Sequence, residues 1–117
     1  MRFTTRKTIF TTALTIAAGM AIQNLAVAQD AVKRGQEVYT AQKCQVCHSI
    51  AGKGGKASPL DGVGAKLSAD DTRQWITHPK DAAAKAKSTK KPPMQDKYGK
   101  LPAADIDALV AYMQSLK

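Results

Sequence analysis

The stretch 44-CQVCH-48 contains both cysteines of the chain and one of its two histidines. Residues of this kind support three chemistries. Two thiols can add across the vinyl groups of a haem while the following His ligates the iron, because one short turn presents both sulfurs to one porphyrin edge. The cysteine pair could instead act as a redox dithiol, or supply part of a zinc site. Cys44, Cys47 and His48 are therefore the first candidate site.

The rest of the sequence favours the haem. A redox dithiol of the thioredoxin type needs a βαβ pattern, and no segment here alternates as a strand would. A zinc site needs four ligands; the cysteine pair with His48 and His78 could supply at most four, with strained geometry, and the chain has no second cysteine pair. In an oxidising compartment a bare C-x-x-C tends to close, whereas a haem-bound pair is chemically capped. We expect one haem c, covalent through Cys44 and Cys47, with His48 on the iron.

The N-terminus is typical of a secretory signal. Arg2, Arg6 and Lys7 are positive, Ala13–Ile22 is an apolar run, and Ala26-Val27-Ala28 is a small-x-small cleavage pattern. The apolar run is shorter than the roughly 20 residues that span a bilayer. Cleavage and export to the periplasm are expected, and retention of the segment as an anchor is the alternative.

This division assigns residues 1–28 to the signal and 29–117 to a single small domain. The domain has little material for a core, since it keeps Trp75 and three tyrosines while both phenylalanines lie in the signal. A disulfide between Cys44 and Cys47 would close a very short loop and constrain the unfolded chain little. We therefore expect a cofactor to fill the interior.

Basic residues outnumber acidic ones in the expected domain. When the three basic residues of the signal are removed, 15 of the 18 Lys and Arg remain, together with all 9 Asp and Glu. The net charge then falls from +9 to about +6. On an exported domain this excess favours docking on an acidic protein or an anionic membrane, and export argues against nucleic acid. The alternative is that the lysines only keep the domain soluble.

Helical spacing dominates the secondary-structure signals. Residues 30–43 have a helical period with Asp30 as the expected N-cap, although Gly35 is costly inside a helix unless it packs closely. Ser68 opens a capping box for a helix that Pro79 stops, and 81–87 predicts further helical turns. The last helix carries an apolar stripe of Ile106, Leu109, Val110, Met113 and Leu116. An all-α domain of three to five helices with long loops is predicted.

Over residues 30–117 the chain resembles the class I c-type cytochromes, which are small monohaem electron-transfer proteins of the bacterial periplasm. The family's features follow here in order: Gly35 and Tyr39, 44-CQVCH-48, Pro59-Leu60, Trp75, a Met-bearing loop, and 106-IDALVAYMQSL-116. The resemblance implies the all-α cytochrome c-like fold around one covalent haem. It also implies that the N- and C-terminal helices cross closely, with Gly35 facing Tyr112.

The resemblance further implies Met94 as the second iron ligand, at the usual spacing from Tyr112. Prolines precede Met94, whereas the family often has Pro after the ligand Met. Met113 lies on the apolar stripe, which is typical of core filling. His78 is the alternative ligand and would give a haem of lower potential.

Two further contacts are implied by the same family. The carbonyl of Pro59 would accept a hydrogen bond from the ring of His48, which fixes the tautomer of a ligating imidazole. The indole of Trp75 would donate to a buried haem propionate. Ordinary roles, a loop proline and a core tryptophan, remain the alternatives.

The expected function is a soluble periplasmic carrier that shuttles single electrons between redox proteins, docks on acidic surfaces and is not an enzyme. We expect a monomer with no stable membrane insertion once the signal is removed. Two alternatives remain: a haem-based ligand sensor or weak peroxidase with a labile Met ligand, and a subunit that stays attached to a respiratory complex.

Overall fold

The computed structural model describes the backbone of residues 14–117 and the side chains of residues 23–117. This part of the chain is all-α, as predicted. Its helices are α1 (Leu14–Ala41), α2 (Val63–Lys66), α3 (Ala69–Thr77), α4 (Pro79–Lys85) and α5 (Ala103–Ser115). Short 3-10 helices lie at Cys44–Val46 and Asp96–Lys100. Two connections are long, namely 42–62 around the C-x-x-C-H segment and 86–102 before α5, whereas α2, α3 and α4 follow one another closely.

Helix α1 begins well before the predicted start. Asp30 lies inside the helix instead of capping it, because the residues upstream are mostly good helix formers with no proline to stop them. Residues 23–30 are all exposed, so this stretch is helical without packing on the domain. Among the described helices, none has the length and apolar character that crossing a bilayer requires. Arg2, Arg6 and Lys7 of the expected signal lie outside the described residues.

Helices α1 and α5 cross in close contact at Gly35. A Cβ added to Gly35 would overlap the carbonyl oxygen of Ala108 and lie 2.6 Å from the Cβ of Tyr112. One turn further on, the rings of Tyr39 and Tyr112 meet edge to face, with centroids 5.7 Å apart. The prediction that Gly35 faces Tyr112 is confirmed, and the close approach explains a glycine in mid-helix.

The hydrophobic core forms around this crossing. The apolar stripe of α5 is buried as predicted, and Leu116 packs partly against it. The buried cluster consists of Val38, Tyr39, Ile76, Ile106, Leu109, Val110 and Met113. Among the described residues no side chain is less than 2 % exposed. The protein part of the interior is therefore small and incomplete.

The start of α3 follows the predicted capping pattern. The Oγ of Ser68 accepts a hydrogen bond from the backbone N–H of Asp71 at 3.0 Å, which satisfies one of the free amides of the first turn. Gln114 on α5 donates to the carbonyl of Leu67 at 3.0 Å and joins α5 to this cap. Pro79 follows α3 and occupies the first turn of α4, where a missing N–H does no harm.

A small hairpin contradicts the prediction that the domain has no strand. Strands β1 (Ser49–Ile50) and β2 (Lys53–Gly54) pair antiparallel, with Ser49 opposite Gly54. Ala51 and Gly52 form the turn with φ of 52° and 76°, the two positive angles of the tight turn that suits a hairpin. Two-residue strands are too short to show an alternating pattern, so the sequence carried no period to detect.

A Gly35→Ala variant tests the helix crossing. In a free helix this change would stabilise by about 1 kcal/mol. Here the new Cβ overlaps α5, and overpacking costs about 1 to 3 kcal/mol, so we expect a lower melting temperature. Thermal unfolding followed by circular dichroism measures it.

Ala104→Leu, at an exposed position of α5, is the control and should melt close to wild type. A Gly35→Ala protein as stable as wild type would contradict the tight crossing.

Candidate haem-binding site

The C-x-x-C-H segment forms a compact turn directly after α1. Lys43 adopts a left-handed conformation with φ of 57° and reverses the chain. The amides of Val46 and His48 then donate to the carbonyls of Lys43 (3.1 Å) and Cys44 (3.0 Å). Cys44 is half-buried against the hydrophobic cluster, Cys47 is exposed, and both thiols are free. The turn therefore presents two sulfurs and an imidazole within five residues.

A glycine-rich segment supports this turn from outside. The amide of Gly55 donates to the carbonyl of Gln45 at 2.8 Å, and that of Ser58 donates to the carbonyl of Cys47 at 3.2 Å. A Cβ on Gly55 would overlap the carbonyl of Val46 and lie 2.9 Å from the Cα of Cys47. Only a glycine allows the backbone to approach the cysteine turn this closely.

The ring of His48 is fixed by a backbone carbonyl, but the predicted acceptor was wrong. Its Nδ1 lies 2.8 Å from the carbonyl oxygen of Ser58, not that of Pro59. Proline favours an extended conformation in the residue before it, and the carbonyl that reaches the ring belongs to that residue, Ser58. Because Nδ1 donates to this carbonyl, Nε2 is left as the lone-pair nitrogen. Nε2 has no hydrogen-bond partner among residues 23–117.

Tyr39 connects the helix crossing to the site. Its hydroxyl donates to the backbone carbonyl of His48 at 3.2 Å, while its ring packs on Tyr112. Burial raises the pKa of Tyr39 to about 12, so the phenol keeps its proton in any neutral solution. Burial also raises the pKa of the Cys44 thiol, which favours the S–H form at neutral pH. The α1–α5 contact thereby holds the backbone of the proposed iron ligand.

The two predicted candidates for the second iron ligand lie in different surroundings. Met94 is half-buried and packs against the hydrophobic cluster, while its neighbours Pro93 and Gln95 are exposed. His78 is exposed at the junction of α3 and α4, with its Nδ1 2.8 Å from the Oγ1 of Thr77. The structure thus directs the Met94 side chain inward, to the same cluster that Cys44 contacts.

Trp75 and Met113 occupy the helices that the sequence indicated. Met113 is buried in α5, in agreement with core filling. Trp75 is half-buried in α3, and its indole N–H has no acceptor among residues 23–117. A hydrogen bond from Trp75 to a haem propionate would need an indole N–H with no protein acceptor. That role of Trp75 stays a prediction.

These residues fit a covalent haem. Two free thiols and the lone-pair nitrogen of His48 are on one turn, and the thioether of Met94 borders the same cluster as Cys44. The incomplete burial of the core leaves apolar surface for a porphyrin to cover. Among the described residues, no group of three or more His, Cys, Asp or Glu is placed to hold a metal ion.

Several supporting contacts were not found from the sequence. Ser58 acts through its main chain, so its residue type carries no signal. Gly55 is one of several glycines in this loop, and nothing in the sequence singled it out. Asp61 fastens the hairpin turn by accepting from the amide of Ala51 at 2.7 Å. An Asp directly after Pro59-Leu60, in a loop, was the available signal for such a side-chain-to-backbone bond.

Gly55→Ala tests the support of the cysteine turn. The added Cβ overlaps the turn backbone, so we expect a clearly lower yield of protein with covalent haem. Gly52→Ala is the control: its Cβ would meet nothing within 4 Å, and only its positive φ of 76° is strained. Mass spectrometry of the purified chains measures the haem-bearing fraction, and equal yields from the two variants would contradict the tight support.

The comparison with protein families agrees with the geometry. The family model described as Cytochrome c matches residues 32–117, which include the whole site, the last third of α1 and every later element. Comparisons with curated proteins and with solved structures gave no match. The family match covers most of the chain, and it agrees with the haem-attachment type of cysteine turn and with the all-α fold around an incomplete core. This chain therefore belongs to the cytochrome c family and is a haem-based electron-transfer protein.

Proposed function

We propose that the chain is a soluble periplasmic monohaem cytochrome that shuttles single electrons between redox partners, with His48 and Met94 as the iron ligands. The observation that carries this proposal is the 2.8 Å hydrogen bond from His48 Nδ1 to the Ser58 carbonyl. This bond leaves Nε2 for the iron, on the same turn as two free thiols. The half-buried Met94 is the thioether best placed to complete the ligand pair.

Each residue has a distinct role in this proposal. Cys44 and Cys47 hold the haem through thioether bonds, and a haem bound there supplies a one-electron Fe(III)/Fe(II) couple. The carbonyl of Ser58 orients the ring of His48 and fixes its tautomer. Trp75 offers its unpartnered indole N–H to a propionate. With His48 and Met94 both on the iron, no open position remains for a substrate, and electron exchange needs little ligand movement.

The surface lysines are proposed to guide docking on an acidic partner. Some lysines near the site are already engaged, since Lys85 pairs with Asp71 at 3.0 Å and Lys90 donates to a backbone carbonyl. Others lie exposed with no ion pair to the described residues: Lys53, Lys56, Lys66, Lys87, Lys91, Lys97 and Lys100. These lysines flank both the cysteine turn and the Met94 segment along the chain. Several positive charges on one surface attract an acidic partner at separations up to about one Debye length.

Periplasmic location and a free monomer are part of the proposal. The sequence pattern of residues 1–28 supports export, and cleavage after Ala28 would remove the first half of α1. The remaining domain would carry no membrane anchor and would meet its redox partners in solution. Mass determination of the purified protein tests signal removal and haem attachment together.

Met94→Ala tests the second ligand. In the oxidised wild type we expect the weak far-red absorption band that a thioether on ferric haem produces, and in Met94→Ala we expect its complete loss. Met113→Leu, in the core, is the control and should keep the band.

Absence of the band in the wild type would contradict ligation by Met94. Carbon monoxide binding to the reduced wild type at neutral pH would instead favour the sensor or peroxidase alternative.

Ionic strength tests the docking surface. We expect the bimolecular rate of electron transfer to an acidic redox protein to fall as salt rises. Lys56→Ala should lower the rate at low salt about twofold and flatten the salt dependence, because it removes a rim charge. Lys33→Ala, on α1, removes the same charge away from the site in sequence and should behave like wild type. A rate that is flat or rises with salt would contradict steering.

A further inference from the structure

The segment that carries Met94 has almost no packing of its own. Between α4 and the second 3-10 helix, residues 86–95 are all exposed except Met94, which is half-buried. A stretch with so little buried surface opens easily unless specific bonds hold it. The position of Met94 therefore depends on the few polar contacts that fasten its neighbours.

One such contact precedes Met94. The Nζ of Lys90 donates to the carbonyl oxygen of Ala57 at 3.1 Å. Ala57 directly precedes Ser58, whose carbonyl accepts from Nδ1 of His48. The carbonyls of two consecutive residues thus accept hydrogen bonds, the first from the segment that carries Met94 and the second from the ring of His48, the proposed iron ligand. Because Lys90 is charged, this hydrogen bond is stronger than one from a neutral donor.

The other contact follows Met94. Lys80 on α4 pairs with Asp96 through Nζ and Oδ2 at 2.8 Å, and Asp96 begins the second 3-10 helix. Both side chains are largely exposed, at 80 % and 54 %, so salt can screen the pair. Met94 is therefore fastened four residues before and two residues after its own position, to two different parts of the domain.

We propose that Lys90 and the Lys80–Asp96 pair are positioning residues that keep Met94 on the iron and so limit the entry of other ligands. The proposal rests on the proposed function, in which Met94 is the second ligand. Lys90 then acts within the molecule as a tether between the two ligand-bearing segments, and is not one of the docking charges.

Imidazole entry measures this role, because imidazole binds the ferric haem of the full holoprotein only when Met94 leaves. Lys90→Ala should increase the rate of imidazole binding about threefold to fivefold, the change expected from losing one exposed charged contact. Lys91→Ala is the matched control: it removes the same charge one residue away and should leave the rate unchanged. Lys90→Arg retains a donor and should restore most of the wild-type behaviour.

Salt provides a second test, directed at the ion pair. Imidazole binding to the wild type should accelerate as sodium chloride is raised, while Asp96→Asn should bind faster at low salt and respond less to salt. Exchanging the charges with Lys80→Asp and Asp96→Lys together should return the rate toward wild type. A structural effect alone would not be rescued by reversed charges.

The outcomes separate this proposal from the one it rests on. If the far-red band survives in Met94→Ala, the proposed ligand is wrong. If that band is lost but Lys90→Ala and Lys91→Ala bind imidazole at equal rates, the tether is wrong while the ligand stands. A lower melting temperature of Lys90→Ala without faster imidazole entry also overturns the tether. Faster hydrogen exchange of the amides of residues 88–90 and 94–96 in Lys90→Ala, but not in Lys91→Ala, supports it.

Discussion

The structure depends on the close contact between α1 and α5 at Gly35, where backbone meets backbone because no side chain intervenes. This contact brings Tyr39 onto Tyr112 and places the buried cluster between the two helices. The cysteine turn begins three residues after α1 ends, so the crossing also sets where the thiols and His48 lie. Tyr39 makes the coupling direct, since its hydroxyl binds the carbonyl of His48. Packing and chemistry are thus joined through one aromatic residue.

Backbone atoms supply most of the support of the site. Carbonyls of Cys44, Cys47 and Ser58 accept the hydrogen bonds that shape the turn and orient the imidazole, and Gly55 contributes by having no Cβ. Such support tolerates many side-chain changes, provided that the chain keeps its path. It also explains why a small protein core suffices: the hydrogen bonds order the site, and the apolar surface left exposed is what a porphyrin would cover.

The charged surface contributes little to the fold itself. The ion pairs are formed mainly by exposed side chains, such as Arg73 with Asp107 and Lys85 with Asp71, and exposed pairs contribute less than about 1 kcal/mol each. Their arrangement matters more than their number. Ion pairs connect α3 to α4 and to α5. The contacts of Lys80 and Lys90 instead hold the chain on either side of Met94. The remaining lysines keep their charge available to a partner.

Sequence alone determined the chemistry and the helices with strong local signals. Some of these signals come from residues close in sequence: the C-x-x-C-H spacing, the apolar stripe of α5 and the cap at Ser68. The signal at Gly35 comes from a single residue type, because a glycine within a helix is costly unless another element packs closely on it. Only the tertiary structure decided that Ser58 and not Pro59 orients His48, that the loop contains a hairpin, and that Lys85 and Lys90 are engaged. Those outcomes depend on where the main chain passes and on which distant groups meet, and main-chain groups are the same in every residue, so no sequence pattern distinguishes them.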